Sequence, residues 1–397
     1  MRRRHLLGLA PAAALAACTV VQEPAPGAPG DDPAGTSPVP EAPTTAAPAP
    51  PAEPPSAAER LLAELSPREL AGQLVWVGIA AGTEIPPETL TDHHAGGLFL
   101  LQVWESPEQV DAVVTAAREL ARPELPPLIA VDQEGGQVRM LRGDAARSTP
   151  SAEELGEQGP DAVTAAYTDI GQDLAARGIQ VALAPVADVV DPELGGDNGP
   201  VGALERGFGT DPAQVGDCVA AATEALAAQG VAATLKHFPG LGRVEENTDF
   251  SADGIEDEQT GPTDPFLASF RAGIEAGAAL VMMSSAIYPR LEAEVPAMFS
   301  AAAIGDLLRG RLGFEGLVIT DDVGTAEAVA AVPVPERATR LLDAGGDVVL
   351  TADPALTGEL VDAIEAWAGR GAEQEQRVRE SAGRVLALKE RAGLLAD

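Results

Sequence analysis

Beyond residue 56 the chain alternates between two patterns. Short apolar runs end in a polar break, and longer stretches follow in which apolar positions return every three or four residues. The short runs predict strands over 74–79, 97–102, 128–132, 182–188, 232–236, 279–284, 317–321 and 347–351. The longer stretches predict helices, among them 106–122, 162–177, 212–229, 264–276 and 301–311. Ser106, Asp211 and Asp264 stand where N-caps belong, each followed by a proline. Strand-then-helix units in series need crossover connections between parallel strands, and closing the sheet removes its exposed edges. The expected fold class is therefore α/β, a (β/α)8 TIM-type barrel forming a single catalytic domain over 57–397. An open doubly wound sheet is the alternative, but no G-x-G-x-x-G follows the first strand.

The first 56 residues follow neither pattern. Arg2, Arg3 and Arg4 precede an apolar run that closes on Leu15-Ala16-Ala17-Cys18. This resembles a bacterial lipoprotein signal, which implies removal of residues 1–17 and a lipid on Cys18. The apolar run is too short to span a bilayer permanently. Residues 19–56 hold 12 of the chain's 34 prolines and cannot form a packed core. Together with Cys18 they read as a disordered Pro/Ala-rich tether, 18–56, reaching at most about 120 Å when extended. The expected location is outside the cytoplasm, on the membrane through the N-terminal lipid alone, facing the cell wall.

Composition narrows the partners. With 26 Lys+Arg against 61 Asp+Glu, the formal net charge is −35, which repels nucleic-acid backbones, so no nucleic-acid partner is expected. Two cysteines 200 positions apart build no disulfide scaffold, and Cys218 is expected to lie buried in a helix as a small hydrophobe. Four histidines, one of them in the signal, offer no ligand cluster, so neither a metal nor another cofactor is expected. A monomer is expected. Lysine occurs only at 236 and 389, which marks both positions.

Chemistry in such a barrel belongs at the C-terminal ends of the strands. Four of them break an apolar run with polar residues: Val131-Asp132-Gln133-Glu134-Gly135-Gly136, Pro185-Val186-Ala187-Asp188, Lys236-His237-Phe238-Pro239-Gly240 and Thr320-Asp321-Asp322. Together they predict one polar pocket at one rim.

Three of these motifs, in this order and with Glu205-Arg206-Gly207-Phe208-Gly209 between the first and the Lys-His-Phe-Pro-Gly run, resemble the signatures of glycoside hydrolase family 3. The resemblance is closest to its single-domain bacterial β-N-acetylhexosaminidase branch and covers essentially everything after the tether. It implies a retaining exo-hydrolase that removes terminal β-linked N-acetylglucosamine from wall-derived glycans, with Asp321 as nucleophile. It also implies that Asp132, Arg206, Lys236 and His237 grip the 3-, 4- and 6-hydroxyls of the terminal sugar. Glu134 reads as a brace for its loop.

The proton donor departs from that branch. There the loop after Lys-His-Phe-Pro-Gly carries Asp-Ser-His, whereas here it reads Asn247-Thr248-Asp249, and no histidine follows His237. Asp249 occupies the histidine's place and is the expected acid/base, since a shielded carboxyl can hold its proton into a working range. Asn247 would orient it by hydrogen bonding. Glu245 or Glu246 swinging in from the same loop is a second possibility, and a site that binds sugar but turns it over poorly is a third. Hydrolysis of simple β-glucosides is a further alternative. Met140 stands where relatives often keep a basic residue, which Arg139 or Arg142 would have to replace.

Overall fold

A computed structural model describes residues 54–395. The expected signal 1–17, the lipidation site Cys18 and the tether as far as residue 53 lie outside the described residues. The folded domain begins slightly earlier than expected. Ser56 caps the first helix, Ala57–Glu64, in a capping box with Glu59. Its hydroxyl also donates to Glu390 Oε2 at 3.0 Å, joining the two ends of the domain.

Eight strands form the closed barrel: β1 Val75–Ala80, β2 Gly97–Leu101, β3 Leu128–Val131, β4 Val181–Ala182, β5 Ala232–Phe238, β6 Leu280–Met283, β7 Leu317–Asp322 and β8 Val348–Thr351. Each lies parallel to its sequence neighbours, and β8 closes onto β1 through the pairs Val75–Val349 and Trp76–Leu350. Strand periodicity divides the side chains into two cores. Trp76, Phe99, Leu183, Met282, Ile319 and Leu350 fill the barrel, while Val75, Val77, Ile129 and Val318 face the helical layer. The expected (β/α)8 architecture is the one observed.

The fourth strand is shorter than its apolar run. It pairs regularly only at Val181–Ala182, and after Pro185 a single bridge joins Val186 to Lys236. Proline has no N–H to give to a ladder, so the run 182–188 cannot continue as regular strand. β5 runs two residues beyond expectation and carries both Lys236 and His237. Ser106 and Asp211 cap their helices, Pro107–Leu120 and Pro212–Ala228, as expected. Asp264 instead accepts the Phe266 N–H at 2.9 Å in the turn before Leu267–Glu275. The stretch expected as an ordinary helix over 301–311 is wound as a π-helix, Ala302–Arg311. Cys218 is fully buried within Pro212–Ala228.

The last helix, Ala372–Arg391, closes the N-terminal end of the barrel. Its Val385 and Leu388 join the interior core, and Lys389 beside them is fully buried with Nζ 2.5 Å from Gln73 Oε1. The opposite end remains open.

Candidate active site

At the open end, strands β3, β5 and β7 each deliver charge into one cavity of about 600 Å³. Its lining includes Asp132, Arg206, Lys236, His237, Asp249 and Asp321. All six residues singled out in the sequence therefore meet, although nearly 190 positions separate the first from the last.

The cationic side is built around a buried acid. After β3 the chain turns into a small hairpin, Gln133–Gly135 with Val138–Arg139. Gly135 there has φ 105°, and a Cβ on it would sit 2.4 Å from the Pro150 carbonyl oxygen, so glycine is required. The hairpin buries Glu134, which accepts two hydrogen bonds from Arg206, Nε to Oε2 at 2.9 Å and Nη2 to Oε1 at 2.8 Å. Lys236 Nζ lies 2.6 Å from Glu134 Oε1 and 2.5 Å from Asp132 Oδ1. Burial alone would raise the Glu134 pKa, but the charges of Arg206 and Lys236 bring it down to about 2. Lys236 is raised despite its own burial, because Asp132 and Glu134 favour the ammonium. Glu134 does not line the cavity. It braces Arg206 and Lys236 from behind, so that both stay charged while reaching the cavity wall.

His237 is fixed by a partner that the sequence did not assign. Fully buried Asp188 accepts the His237 backbone N–H and the Leu241 N–H on Oδ1, each at 2.9 Å, and lies 2.8 Å from His237 Nδ1 through Oδ2. With Nδ1–H donating to Asp188, Nε2 is left as the acceptor beside Arg206 Nη2, 3.4 Å away. The only sequence signal for Asp188 is that it ends the apolar run after Pro185.

β7 ends in the carboxylate pair. Asp321 Oδ1 accepts the Asp322 N–H at 2.9 Å, which leaves Oδ2 without a hydrogen bond among the described residues. Asp322 has a different task. Its Oδ1 accepts the Gly324 and Ala352 N–H groups, each at 2.7 Å, and its Oδ2 accepts the Thr325 N–H at 2.9 Å. It thereby ties the end of β7 to the end of β8.

The loop carrying Asp249 is anchored at its base and near its tip. At the base, buried Asn198 donates to the Leu241 and Val244 carbonyls at 2.8 and 2.6 Å. Arg243 donates to Asp264 at 3.0 Å and stacks 3.7 Å from the centre of the Phe266 ring. At the tip, the Glu327 and Ala328 N–H groups donate to the Asp249 and Thr248 carbonyls at 3.2 and 3.1 Å. Asn247 uses its side-chain oxygen on the Asp249 backbone N–H at 2.9 Å, so it shapes the turn instead of orienting the carboxyl as expected. Glu245 and Glu246 are exposed and do not line the cavity. Met140 does line it. Arg139 and Arg142 are turned to the carbonyls of Gly136, Arg139 and Gln137, so neither takes the place of a basic residue there.

Residues 67–388 match the glycosyl hydrolase family 3 N-terminal domain, which spans most of the described chain. The chain belongs to glycosyl hydrolase family 3. It is 38 % identical over 305 residues to a β-hexosaminidase of Xanthomonas oryzae pv. oryzae, covering 74 % of this chain and 87 % of the relative. Among solved structures it resembles a β-N-acetylhexosaminidase from Beutenbergia cavernae, with 41 % identity, a TM-score of 0.78, and coverage of 83 % of this chain and 99 % of that one. A family 3 β-N-acetylglucosaminidase from Paenibacillus is 29 % identical with a TM-score of 0.73, covering 84 % of this chain and 64 % of that one.

Two carboxyl groups of the cavity, Asp249 and Asp321, are both pushed towards their protonated forms. Asp249 is exposed at the cavity mouth, and its partial desolvation there, followed by the negative charge of Asp321, pushes its carboxyl up to about 6. Burial also raises Asp321, against the Asp322 N–H and the Lys236 ammonium, both of which favour its ionised form. Each carboxylate disfavours ionisation of the other.

Proposed function

We propose that the chain is a retaining, exo-acting β-N-acetylhexosaminidase that removes terminal β-linked N-acetylglucosamine from cell-wall-derived glycans. The observation that carries this reading is the single cavity in which Asp321 and Asp249 meet the Lys236–Glu134–Arg206 cluster. The β-hexosaminidase and β-N-acetylhexosaminidase names of the similar proteins support the choice of sugar.

In the proposed first step, Asp321 Oδ2 bonds to the anomeric carbon as the bond from that carbon to the leaving oxygen breaks, and Asp249 gives its proton to that oxygen. In the second step, a water oxygen bonds to the anomeric carbon, its proton passes to Asp249, and the ester bond to Asp321 breaks. Asp132, Arg206, Lys236 and His237 hold the hydroxyls of the terminal ring through charge-assisted hydrogen bonds. The N-terminal residues complete the proposal. The signal 1–17 directs export, Cys18 carries the lipid, and the segment that follows it carries the folded domain from the membrane towards wall glycans, consistent with a role in peptidoglycan turnover.

The protein is expected to release an aryl group from an N-acetyl-β-glucosaminide, and Asp321→Asn to lose on the order of 10³-fold or more in kcat. A 5-fluoro N-acetylglucosaminide should leave an adduct on Asp321, read by peptide mass spectrometry. Faster cleavage of β-glucosides than of N-acetyl-β-glucosaminides would refute the choice of sugar. Undiminished activity of Asp321→Asn would refute the nucleophile.

A further inference from the structure

The residue that follows Asp249 is out of place for a folded domain. Phe250 is 82 % exposed, whereas Phe99, Phe208, Phe238, Phe270, Phe299 and Phe314 are buried, and Phe266 packs against the core. A lone exposed phenyl ring is too small a patch to dock a protein. It does line the cavity that holds Asp249 and Asp321, and its backbone is fixed, with its N–H donating to the Asn247 carbonyl at 3.0 Å in the same turn that the Glu327 and Ala328 amides pin. The turn that presents the ring is already formed before anything binds, which reduces the backbone ordering cost of using it.

We propose that Phe250 is the platform on which the leaving sugar ring rests, and that it selects substrates in which the cleaved bond joins two pyranose rings. The inference rests on the reading of Asp249 as the group that protonates the leaving oxygen. If Asp249 reaches that oxygen, the next residue of a pinned turn stands beside the leaving group and not beside the ring held by Lys236 and Arg206. A β-linked pyranose presents a face of C–H groups, and an aromatic ring is the side chain that covers such a face while its hydroxyls stay in water. A small alcohol as leaving group offers no such face and gains nothing from the platform.

The test compares N,N′-diacetylchitobiose with methyl N-acetyl-β-glucosaminide for the parent, Phe250→Ala and Phe250→Trp. The ratio of kcat/KM for the disaccharide over the methyl glycoside is expected to fall about tenfold in Phe250→Ala, mainly through KM, and to return to within about twofold of the parent in Phe250→Trp. An unchanged ratio in Phe250→Ala, or failure of the tryptophan to restore it, overturns the platform while leaving the glycosidase reading intact. A parent protein that cleaves neither substrate overturns the glycosidase reading, and the platform with it.

Discussion

The chain has two lysines, both buried, one at each end of the barrel. At the open end, Lys236 lies between Asp132 and Glu134 and its pKa is raised. At the closed end, among the described residues, Lys389 Nζ bonds only the neutral amide oxygen of Gln73, and burial lowers it to about 7. Burial acts on both in the same sense, against the ammonium, so the local carboxylates decide the sign. The open end is thus a place where charge has been assembled and kept charged, ready to meet hydroxyl groups. The closed end holds a cluster of its own, buried Asp347 paired with Arg309, Arg377 and Arg384, but Lys389 lies outside it, and at that position the charge is a liability.

The comparison breaks most sharply at Lys236. Lys236→Met removes the cation that Asp132 and Glu134 share, leaving Asp132 without its partner and Glu134 with Arg206 alone. Removing one member of a buried ionic group costs about 3–5 kcal/mol. The variant should show that loss in urea unfolding and at least a thousandfold loss of kcat/KM. Parent-like stability would mean that the open-end cluster is no more than a packed polar surface.

A smaller effect is expected at Asp249. A general acid works only while protonated, so activity on an unactivated substrate should fall as pH rises through about 6, the value to which partial desolvation and Asp321 bring this carboxyl. Asp249→Asn should lower kcat/KM by about 10²- to 10⁴-fold and abolish that high-pH limb. If the limb persists in the variant, another group supplies the proton.

Lys236 was visible in the sequence because charge interrupting an apolar run is a local signal, whereas Asp249 was visible only through the family resemblance, at the place of the histidine. The strand order and the Asp132, Lys236, His237 and Asp321 positions were legible for the first reason. What was not legible depends on atoms that residue type does not report. Asp188 meets His237 across 49 positions only because β4 gives up regular pairing at Pro185 and delivers it behind β5. The Asp249 loop is pinned by the backbone amides of Glu327 and Ala328, which any residue could supply. The environment of Lys389 was hidden for another reason. A cation beside Leu388 on a long helix reads as the edge of a solvated face, but this helix lies across the end of the barrel and is covered there as well.

That last position gives the most selective test, with the smallest effect on activity. Lys389→Met replaces the ammonium with a side chain of similar length and no charge. The folded pKa of about 7 lies below the roughly 10.4 of an unfolded lysine. Between those values the unfolded chain holds a proton that the folded chain has released, so the contribution of this group to stability rises with pH across that window. Below pH 7 both states are protonated and the full penalty of the buried ammonium is present. The methionine variant should therefore be more stable than the parent at pH 6, by up to about 4 kcal/mol in urea unfolding, and the gain should shrink towards zero by about pH 10. Its kcat/KM should match the parent, since the reacting groups lie at the other end of the barrel. If the methionine destabilises the protein equally at both pH values, the ammonium is being satisfied where it sits, and the contrast between the two lysines fails.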